Sequence, residues 1–558
     1  MHRFPTAEDE VAEELAAARP DLLPRYAAEL PGARAAVLSR LWRALAHEPL
    51  PWITRREPAR DGLVLWLSDG RRLHGPAADP YATGAYVTAV RLGGEAYEDP
   101  ARLMTGLRVP HGTALAAELG HSVASLALSR AGRAAGAGTG REVEGGTGRE
   151  VEGGTGREVG DGTGREVGDG TGREVGGGRR RAAGGGAHPK EWPVEDWEWE
   201  QRVVDGHPFH PNCRSRPGFS VAEQLAYAPE HGPVVELGLV PVPAAECLVT
   251  GAWPEDLRDG GRLLVPVHPW QAAHVLEGGS GNGGFAAHPL MSLRTLAVPG
   301  GPHVKTALTA QLTSSVRNMS VASVAASAAL SAFGEELAAR GGGLLHVTRT
   351  LAAATAHSPD LAAQWRESPR RYAAAGEQVL PVAALATTGL PKSPLWLADF
   401  THLVLTVGLR LLELGVALEA HGQNLLVVLS SSGAPLRLVY RDLADIRVSP
   451  ARLARHGIGV SALPARILTD DPTALRRKLF GSLVAGALAG TAGSGPALRA
   501  ALEAGVRGLP RTPDLVALCE RPLPAKALTL MRLSPGTPGD LWAALPNPLV
   551  LEPGRSGQ

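Results

Sequence analysis

The chain contains little cysteine, no excess charge of either sign and no long apolar run. Its three cysteines, Cys213, Cys247 and Cys519, are far apart, which excludes a disulfide framework or a CxxC metal site. The 56 basic and 56 acidic residues cancel, which argues against a nucleic-acid binder or a polybasic membrane anchor. No run of about 18 apolar residues is present, and the acidic N-terminus lacks the apolar region of a signal peptide. These absences predict a cytosolic protein that binds neither nucleic acid nor membrane.

A glycine-rich insertion interrupts the chain. Residues 138–177 are five copies of an octamer that begins GTGREV, within a glycine-rich stretch over 132–186. Each octamer offers one valine to bury, and its glycines make ordering entropically costly. The segment also lacks the GxxxxGK[ST] pattern of a phosphate-binding loop. The composition therefore predicts a disordered insertion.

On either side of the insertion, the pattern predicts a multidomain α+β protein. With 558 residues, 44% of them hydrophobic, the chain is long enough for two or three domains. Apolar spacing predicts helices over 7–19, 33–47, 113–130 and 396–420, and strands over 62–67 and 85–91. Short Val/Leu runs between 232 and 312 predict a sheet-rich middle, followed by a largely helical end.

Two histidines and two arginines share a stiff loop, GHPFHPNCRSRPGF over 206–219, called here the His-Pro loop. Residues before proline avoid the helical region, so His207 and His210 are presented on extended backbone. With Arg214 and Arg216, they could bind a polycarboxylate. A zinc site using Cys213 is the alternative, but it would need a fourth ligand.

A second polar cluster lies between Ser292 and Arg317. Ser292 and Arg294 precede a Pro-Gly-Gly-Pro turn, and a strand is predicted from about Val304 that carries Lys305 on its polar face. The run of residues 313–315, Thr-Ser-Ser, favours a helix N-cap with the helix starting at about Val316. Arg317 would then lie in the first turn, where the helix dipole attracts an anion.

A third cluster is a predicted hairpin over 419–447, called here the HGQN hairpin. Pairing its strands about the SSSGAP turn places Asn424 opposite Arg441 and Gln423 opposite Asp442. Carboxylates, amides and an imidazole at one end of a hairpin suit Mg²⁺ and nucleotide binding. The converging side chains are those of Glu419, His421, Gln423, Asn424 and Asp442.

Taken in this order, the motifs resemble the IucA/IucC family, the siderophore synthetases that work without a peptide-synthetase assembly line. The matching features are the His-Pro loop, the SxRT segment, the K…QxTSSxR segment and the HGQN…RD hairpin. The resemblance implies a cupped hand of thumb, fingers and palm, expected here over 1–186, 187–380 and 381–558, and often dimeric. It also implies that a carboxylate, frequently of citrate, attacks ATP to give an acyl-adenylate, which an amine or alcohol then captures.

The resemblance also implies roles for individual residues. ATP would be bound by Ser292, Arg294, Lys305, Gln423, Asn424 and Asp442. Mg²⁺ would be held by Glu419 and Asp442. The carboxylate and the developing negative charge would be held by His210, Thr313, Arg317, His421 and Lys305, with His207, Arg214 and Arg216 as further substrate contacts.

Two other functions remain open at this point. A kinase-like phosphotransferase would also use a His-Gly corner, an Asn and an Asp, but the chain lacks a glycine-rich nucleotide loop before a VAIK-like strand. A binding-only relative would not need the retained Lys305, Arg317 and Asp442. One departure from the family is Arg214, which stands where the family has lysine and changes the reach and geometry of the charge.

Overall fold

The computed structural model describes residues 5–138, 192–277, 279, 281–312 and 315–550. From residue 139 onward, the predicted disordered insertion lies outside the described residues. Thr313 also lies outside them.

The N-terminal part packs helices against a five-stranded antiparallel sheet. The capping box at the chain start is present: the Thr6 N–H donates to Asp9 Oδ2 at 2.9 Å and the Asp9 N–H to Thr6 Oγ1 at 3.3 Å. Trp42 and Leu119 lie fully buried in the shared core. The helices are α1 (Ala7–Ala18), α2 (Leu23–His47), α3 (Pro100–Leu107) and α4 (Gly112–Gly138). The strands are β1 (Ile53–Ala59), β2 (Gly62–Leu67), β3 (Arg72–Gly75), β4 (Val90–Leu92) and β5 (Glu95–Tyr97).

The middle part is rich in sheet, as predicted. Its strands are β6 (Val235–Pro243), β7 (Leu248–Gly251), β8 (Arg258–Asp259), β9 (Arg262–Val267), β10 (Gly281–Pro289), β11 (Thr295–Ala297), β12 (His303–Thr306), β13 (Leu308–Leu312), β14 (Ser315–Arg317), β15 (Leu345–Val347), β16 (Thr350–Ser358) and β17 (Leu361–Arg366). Nine of them form one sheet in the order β7-β16-β17-β12-β11-β10-β6-β9-β8. The helices are α5 (Asp196–Gln201), α6 (Val221–Tyr227), α7 (Pro269–His274), α8 (Val321–Ala325) and α9 (Ser327–Arg340).

The C-terminal part surrounds one apolar helix. Its helices are α10 (Pro394–Leu414), α11 (Pro450–Ala454), α12 (Pro472–Leu479), a π-helix (Phe480–Leu488), α13 (Ala489–Ala492), α14 (Gly495–Gly505), α15 (Pro513–Glu520) and α16 (Leu528–Leu533). The strands are β18 (Gln378–Pro381), β19 (Val416–Ala417), β20 (Leu425–Leu429), β21 (Pro435–Tyr440), β22 (Arg447–Val448), β23 (Leu523–Lys526) and β24 (Trp542–Leu545). Among the described helices, only α10 is long and apolar enough to cross a membrane. Most of it is buried in the core, beside the sheet of β15, β21, β20 and β18.

Three local predictions were wrong. Only Val90–Leu92 forms a strand in the region predicted over 85–91. Helix α10 ends at Leu414, not Ala420, because Gly415 adopts a left-handed conformation with φ 109°. No helix begins at Val316: β14 pairs with β13, and the next helix, α8, begins at Val321 after the cap residue Ser320. Arg317 therefore lies on a strand, and the helix-dipole argument does not apply to it.

A buried carboxylate joins α2 to α16. Glu48, only 3% exposed, accepts hydrogen bonds from the backbone N–H groups of Thr529 at 3.1 Å and Leu530 at 2.7 Å. Burial raises the pKa of Glu48 to about 7. The folded state therefore holds a proton that the unfolded chain releases, and this contribution to stability is lost as the pH rises from the unfolded value towards 7.

Replacing Glu48 by the neutral Gln should remove this pH dependence. Between pH 4.5 and 7.5, the stability of Glu48→Gln relative to wild type is expected to increase by roughly 1 to 3 kcal/mol. The measurement is urea unfolding of both proteins across that range. A difference that stays constant with pH would contradict the raised pKa.

Candidate active site

A cavity of about 1040 Å³ lies where the N-terminal, middle and C-terminal parts meet. Thirteen Arg and Lys side chains and six Asp and Glu side chains line it. Such an excess of positive charge attracts anionic ligands. The cavity brings together every predicted site residue that the structure describes: His207, His210, Arg214, Arg216, Ser292, Arg294, Lys305, Arg317, Glu419, His421, Gln423, Asn424 and Asp442.

Lys305 and Asp442 form a mostly buried ion pair in this cavity. Lys305, on β12, donates from Nζ to Asp442 Oδ2 at 2.7 Å, and Arg366, on β17, donates to Asp442 Oδ1 at 3.4 Å. Burial and the neighbouring Arg366 lower the pKa of Lys305. Burial alone would raise the pKa of Asp442, but the charges of Lys305 and Arg366 hold it well below its usual range. Asp442 also adopts a left-handed φ of 73°, an uncommon conformation that aims its carboxylate at the two cations.

Two arginines lie beside this pair. Arg294 donates from Nη1 to the carbonyl oxygens of Arg317 at 2.6 Å and Asn318 at 2.8 Å. It thus ties the SxRT segment to β14. Burial lowers the pKa of Arg294 to about 10 and also lowers that of Arg317, so both remain cations at neutral pH. Both side chains reach the cavity.

Three histidines of the cavity share one hydrogen-bonding arrangement. The Nδ1 atoms of His207, His210 and His421 each accept from the backbone N–H two residues later, at 3.2, 3.1 and 3.2 Å. Each ring therefore carries its hydrogen on Nε2. Burial lowers the pKa of all three. They are neutral hydrogen-bond donors at pH 7, and His210 Nε2 is buried without a partner among the described residues.

His268 has the same arrangement but lies elsewhere. Its Nδ1 accepts from the Trp270 N–H at 3.1 Å, which caps the start of α7. The ring packs edge-on against Tyr227 with centroids 5.0 Å apart. His268 does not line the cavity, which fits a structural role.

The predicted magnesium ligands are paired with cations. Glu419 Oε1 accepts from Lys526 Nζ at 3.0 Å and from Lys478 Nζ at 3.2 Å. Within the described part of the chain, no group of three His, Cys, Asp or Glu side chains is arranged to hold a metal. Mg²⁺ commonly binds through one or two carboxylates plus substrate phosphates. Glu419 and Asp442 fit that donor set if the substrate phosphates bind the lysines that are now paired with these two carboxylates.

Arg214 and Arg216 have internal partners within the cavity wall. Glu230 is completely buried and forms ion pairs with Arg216 at 2.8 Å and with Arg214 at 3.4 Å. Arg214 also donates to the Val204 carbonyl at 2.8 Å. These contacts brace the His-Pro loop and offset part of the arginine charge. Their proposed contact with substrate remains a prediction.

Several other lining residues belong to no motif that could be recognised in the sequence. Arg40 and Arg43 come from α2, in the N-terminal part. Arg40 donates to the Pro208 carbonyl at 3.2 Å, and the Arg43 guanidinium lies 4.4 Å from the centre of the Phe209 ring. These two contacts hold the His-Pro loop against α2. Arg366, Lys478 and Lys526 reach the cavity only through tertiary packing.

A buried ion pair connects the HGQN hairpin to α5. Glu200 accepts from Arg441 Nη1 at 2.7 Å and from the Met291 N–H at 3.0 Å, while Arg441 Nε donates to the Gln423 carbonyl at 3.0 Å. Glu200→Gln is expected to lower the free energy of unfolding by about 3 kcal/mol, because it leaves Arg441 buried without its countercharge. Urea unfolding measures this loss. The exposed pair Arg499–Glu503 supplies the control, since Glu503→Gln should leave stability unchanged.

Two family models match the chain. The IucA / IucC family matches residues 196–387, and the family described as ferric iron reductase FhuF-like transporter matches residues 394–538. The first region holds the His-Pro loop, Lys305 and Arg317. The second holds the HGQN hairpin.

Curated relatives match over part of the chain. The citryl-spermidine/3,4-dihydroxybenzoyl-citryl-spermidine:spermidine ligase of Bacillus anthracis is 24% identical over 312 residues, which are 44% of this chain and 51% of that protein. The N(2)-citryl-N(6)-acetyl-N(6)-hydroxylysine synthase of Vibrio mimicus is 30% identical over 159 residues, 22% of this chain and 26% of that one. The chain thus spans about half the length of the first relative and about a quarter of the second.

Solved structures match over nearly the whole chain. The petrobactin biosynthesis protein AsbB from Bacillus anthracis str. Sterne has a TM-score of 0.69 and 17% identity, covering 95% of this chain and 97% of that one. ATP-bound aerobactin synthetase IucA from a hypervirulent pathotype of Klebsiella pneumoniae has a TM-score of 0.66 and 18% identity, covering 93% and 99%. These likenesses establish the α+β fold of the siderophore synthetases. The predicted resemblance to the IucA/IucC family is thus confirmed by the family match over residues 196–387 and by the fold of nearly the whole chain.

Proposed function

We propose that the chain is an ATP-dependent, AMP-forming siderophore synthetase. It adenylates a carboxylate, citrate or a related polycarboxylic acid, and joins it to an amine or alcohol. The observation that carries this proposal is the convergence of the Lys305–Asp442 pair, Arg294 and Arg317 with three neutral histidine donors in one cationic cavity. Two anionic substrates must meet in such a reaction, and this cavity supplies cations for both.

ATP is assigned to the side of the cavity that holds Lys305. Its ammonium and the Arg294 guanidinium would neutralise phosphate oxygens, while the amides of Gln423 and Asn424 would hydrogen-bond phosphate or adenine. Ser292 would contribute its hydroxyl. The likeness of the fold to ATP-bound IucA supports this assignment.

The carboxylate substrate is assigned to the side that holds the histidines. His207, His210 and His421 would donate from Nε2 to carboxylate oxygens without adding a titrating charge at pH 7. Arg317 would hold the reacting carboxylate against the α-phosphate. Thr313, which lies outside the described residues, stays a predicted contact of the same group.

The chemistry then requires two displacements. A carboxylate oxygen attacks the α-phosphorus, and pyrophosphate leaves with the electrons of the broken P–O bond. The amine or alcohol next attacks the acyl carbon, loses its proton, and AMP leaves. Lys305, Arg294 and Arg317 stabilise the charge that develops in the first step. Mg²⁺, held by Glu419 and Asp442, would supply further charge neutralisation on the phosphates.

The names of the relatives suggest the kind of nucleophile. The names of the two relatives described above both contain citryl compounds, and one is named a spermidine ligase. An amine nucleophile is therefore the first to test here.

The proposal also includes that the protein is cytoplasmic and forms a homodimer.

One assay tests the activity. Purified protein is incubated with ATP, Mg²⁺, hydroxylamine and a panel of citrate, 2-oxoglutarate and succinate, and AMP, pyrophosphate and hydroxamate are measured together. Acid-dependent AMP and pyrophosphate in equal amounts are expected. ADP formation instead would replace the proposal with a phosphotransferase, and no turnover by folded, ATP-binding protein would leave only a binding function.

A further inference from the structure

A single carboxylate behind the cavity joins three separate parts of its wall. Glu118, on α4, accepts from Arg532 Nε at 2.9 Å and from Gln311 Nε2 at 3.3 Å. It also accepts from Asn212 Nδ2 and from Arg532 Nη2. Glu118 itself does not line the cavity, whereas Arg532 does. Glu118 also lies outside both matched family regions, so no family motif points to it.

Each partner of Glu118 leads to a group that faces the cavity. Asn212 lies in the His-Pro loop, and its backbone N–H donates to His210 Nδ1 at 3.1 Å. Gln311 lies on β13 and pairs with Val316 of β14, the strand that carries Arg317. Arg532 lies on α16, and its charge contributes to lowering the pKa of His210, after burial, as do those of Arg40 and Arg317. His210, Arg317 and Arg532 all line the cavity, and both arginines are close enough to influence the charge of His210; this part of the cavity is called here the His210 corner.

We propose that Glu118 is a positioning residue for the carboxylate substrate. Through Asn212 it fixes the ring of His210 so that Nε2–H is directed at the ligand. Through Gln311 it positions the strand that carries Arg317, and it holds the guanidinium of Arg532 directly. The inference rests on the proposed function, because it assigns the acid to this corner. Glu118 does not line the cavity, and its hydrogen bonds go to Arg532, Gln311 and Asn212, not to the Lys305–Asp442 pair.

Steady-state kinetics of Glu118→Gln give the first test. The amide nitrogen of Gln replaces one carboxylate oxygen, which breaks one hydrogen bond from Arg532 together with the one from either Asn212 or Gln311. A displacement of about 1 Å in a substrate-holding group is costly. The KM for citrate is expected to rise about ten- to a hundredfold, while the KM for ATP stays within about twofold. Glu118→Asp should lie between wild type and Glu118→Gln, because it keeps the charge but shortens the reach. Equal changes in both KM values, or none, would overturn the proposal.

A double-mutant cycle and a matched control complete the kinetic test. If Glu118 acts through Arg532, the double variant Glu118→Gln/Arg532→Met should be no worse than the poorer single variant. If the fold-changes in KM of the two single variants multiply in the double variant, the two residues act independently, and the proposed link between Glu118 and Arg532 is overturned. Glu8→Gln breaks another arginine ion pair of the N-terminal part, with Arg34, away from the cavity. It should leave both KM values unchanged.

A measurement without turnover separates this inference from the proposed function. In protein labelled with ¹⁵N-histidine, Glu118→Gln should shift or broaden the ring signals of His210 and leave those of His268 in place. His268 has the same Nδ1 acceptor geometry but lies outside the cavity. An unchanged His210 signal, or equal changes at both rings, would refute the positioning role even in a protein that shows no ligase activity.

Discussion

Arg317→Ala is expected to abolish acid-dependent ATP–pyrophosphate exchange. Arg317 lies on β14, in the corner that also holds His210, and Asp442 and Glu419 are close enough to influence its charge. In the proposed function, its guanidinium holds the carboxylate against the α-phosphate. Loss of such a preorganised charge should lower the exchange rate by about a thousandfold. The measurement is exchange of labelled pyrophosphate into ATP in the presence of citrate.

Two controls distinguish lost chemistry from lost structure. Arg317→Lys keeps the charge but not the forked geometry, so it should retain a measurable fraction of the exchange. Arg258→Ala removes an exposed arginine of β8, outside the cavity, and should behave as wild type. Near-normal exchange by folded Arg317→Ala protein would remove Arg317 from the mechanism.

The HGQN hairpin could be predicted from sequence because its turn fixes its register. SSSGAP marks the turn, and the flanking apolar runs have matching lengths, so the register is defined except at an irregularity between Val428 and Leu429. Leu425 pairs with Tyr440, and the Arg441 N–H donates to the Asn424 carbonyl at 3.0 Å, as predicted. Local sequence was sufficient here because the contacts are local.

The region around Arg317 could not be predicted in the same way. Hydroxyl residues favour both helix caps and turns, so two Ser/Thr groups close together in the chain are equivalent candidates for the cap. The structure places the cap at Ser320, whose Oγ accepts from the Ser323 N–H at 3.2 Å. Pairing of β13 with β14 decides between the two, and that is a tertiary effect.

The residues that hold the site residues in place could not be predicted from the sequence, because the contacts join residues that are far apart along the chain. Glu118 and Arg532 are 414 residues apart, and Lys305 and Asp442 are 137 apart. No local pattern records which of many charged residues will meet across such distances. The motifs identified the groups that face the cavity, whereas the packing of three parts of the chain determines what holds them there.

Lys305→Met should remove ATP binding and also destabilise the protein. Among the described residues, Arg366 at 3.4 Å is then the remaining ion-pair partner of Asp442, so the free energy of unfolding is expected to fall by about 3 kcal/mol. Exchange of pyrophosphate should fall by about a thousandfold, because the ammonium no longer stabilises charge on the phosphates. Both losses are measured on the same preparation, by urea unfolding and by citrate-dependent exchange.

The double variant Lys305→Met/Asp442→Asn separates the two effects. Asparagine tolerates the left-handed backbone of residue 442 and removes the uncompensated charge, so stability should return to within about 1 kcal/mol of wild type. Exchange should stay lost, because the Lys305 ammonium and the Asp442 carboxylate, which are proposed to bind ATP and Mg²⁺, are both absent. If activity returned together with stability, Lys305 would act only as the structural partner of Asp442. Stability without activity would instead show that the site needs the charged groups of Lys305 and Asp442 themselves, and not only the folded structure that their pairing stabilises.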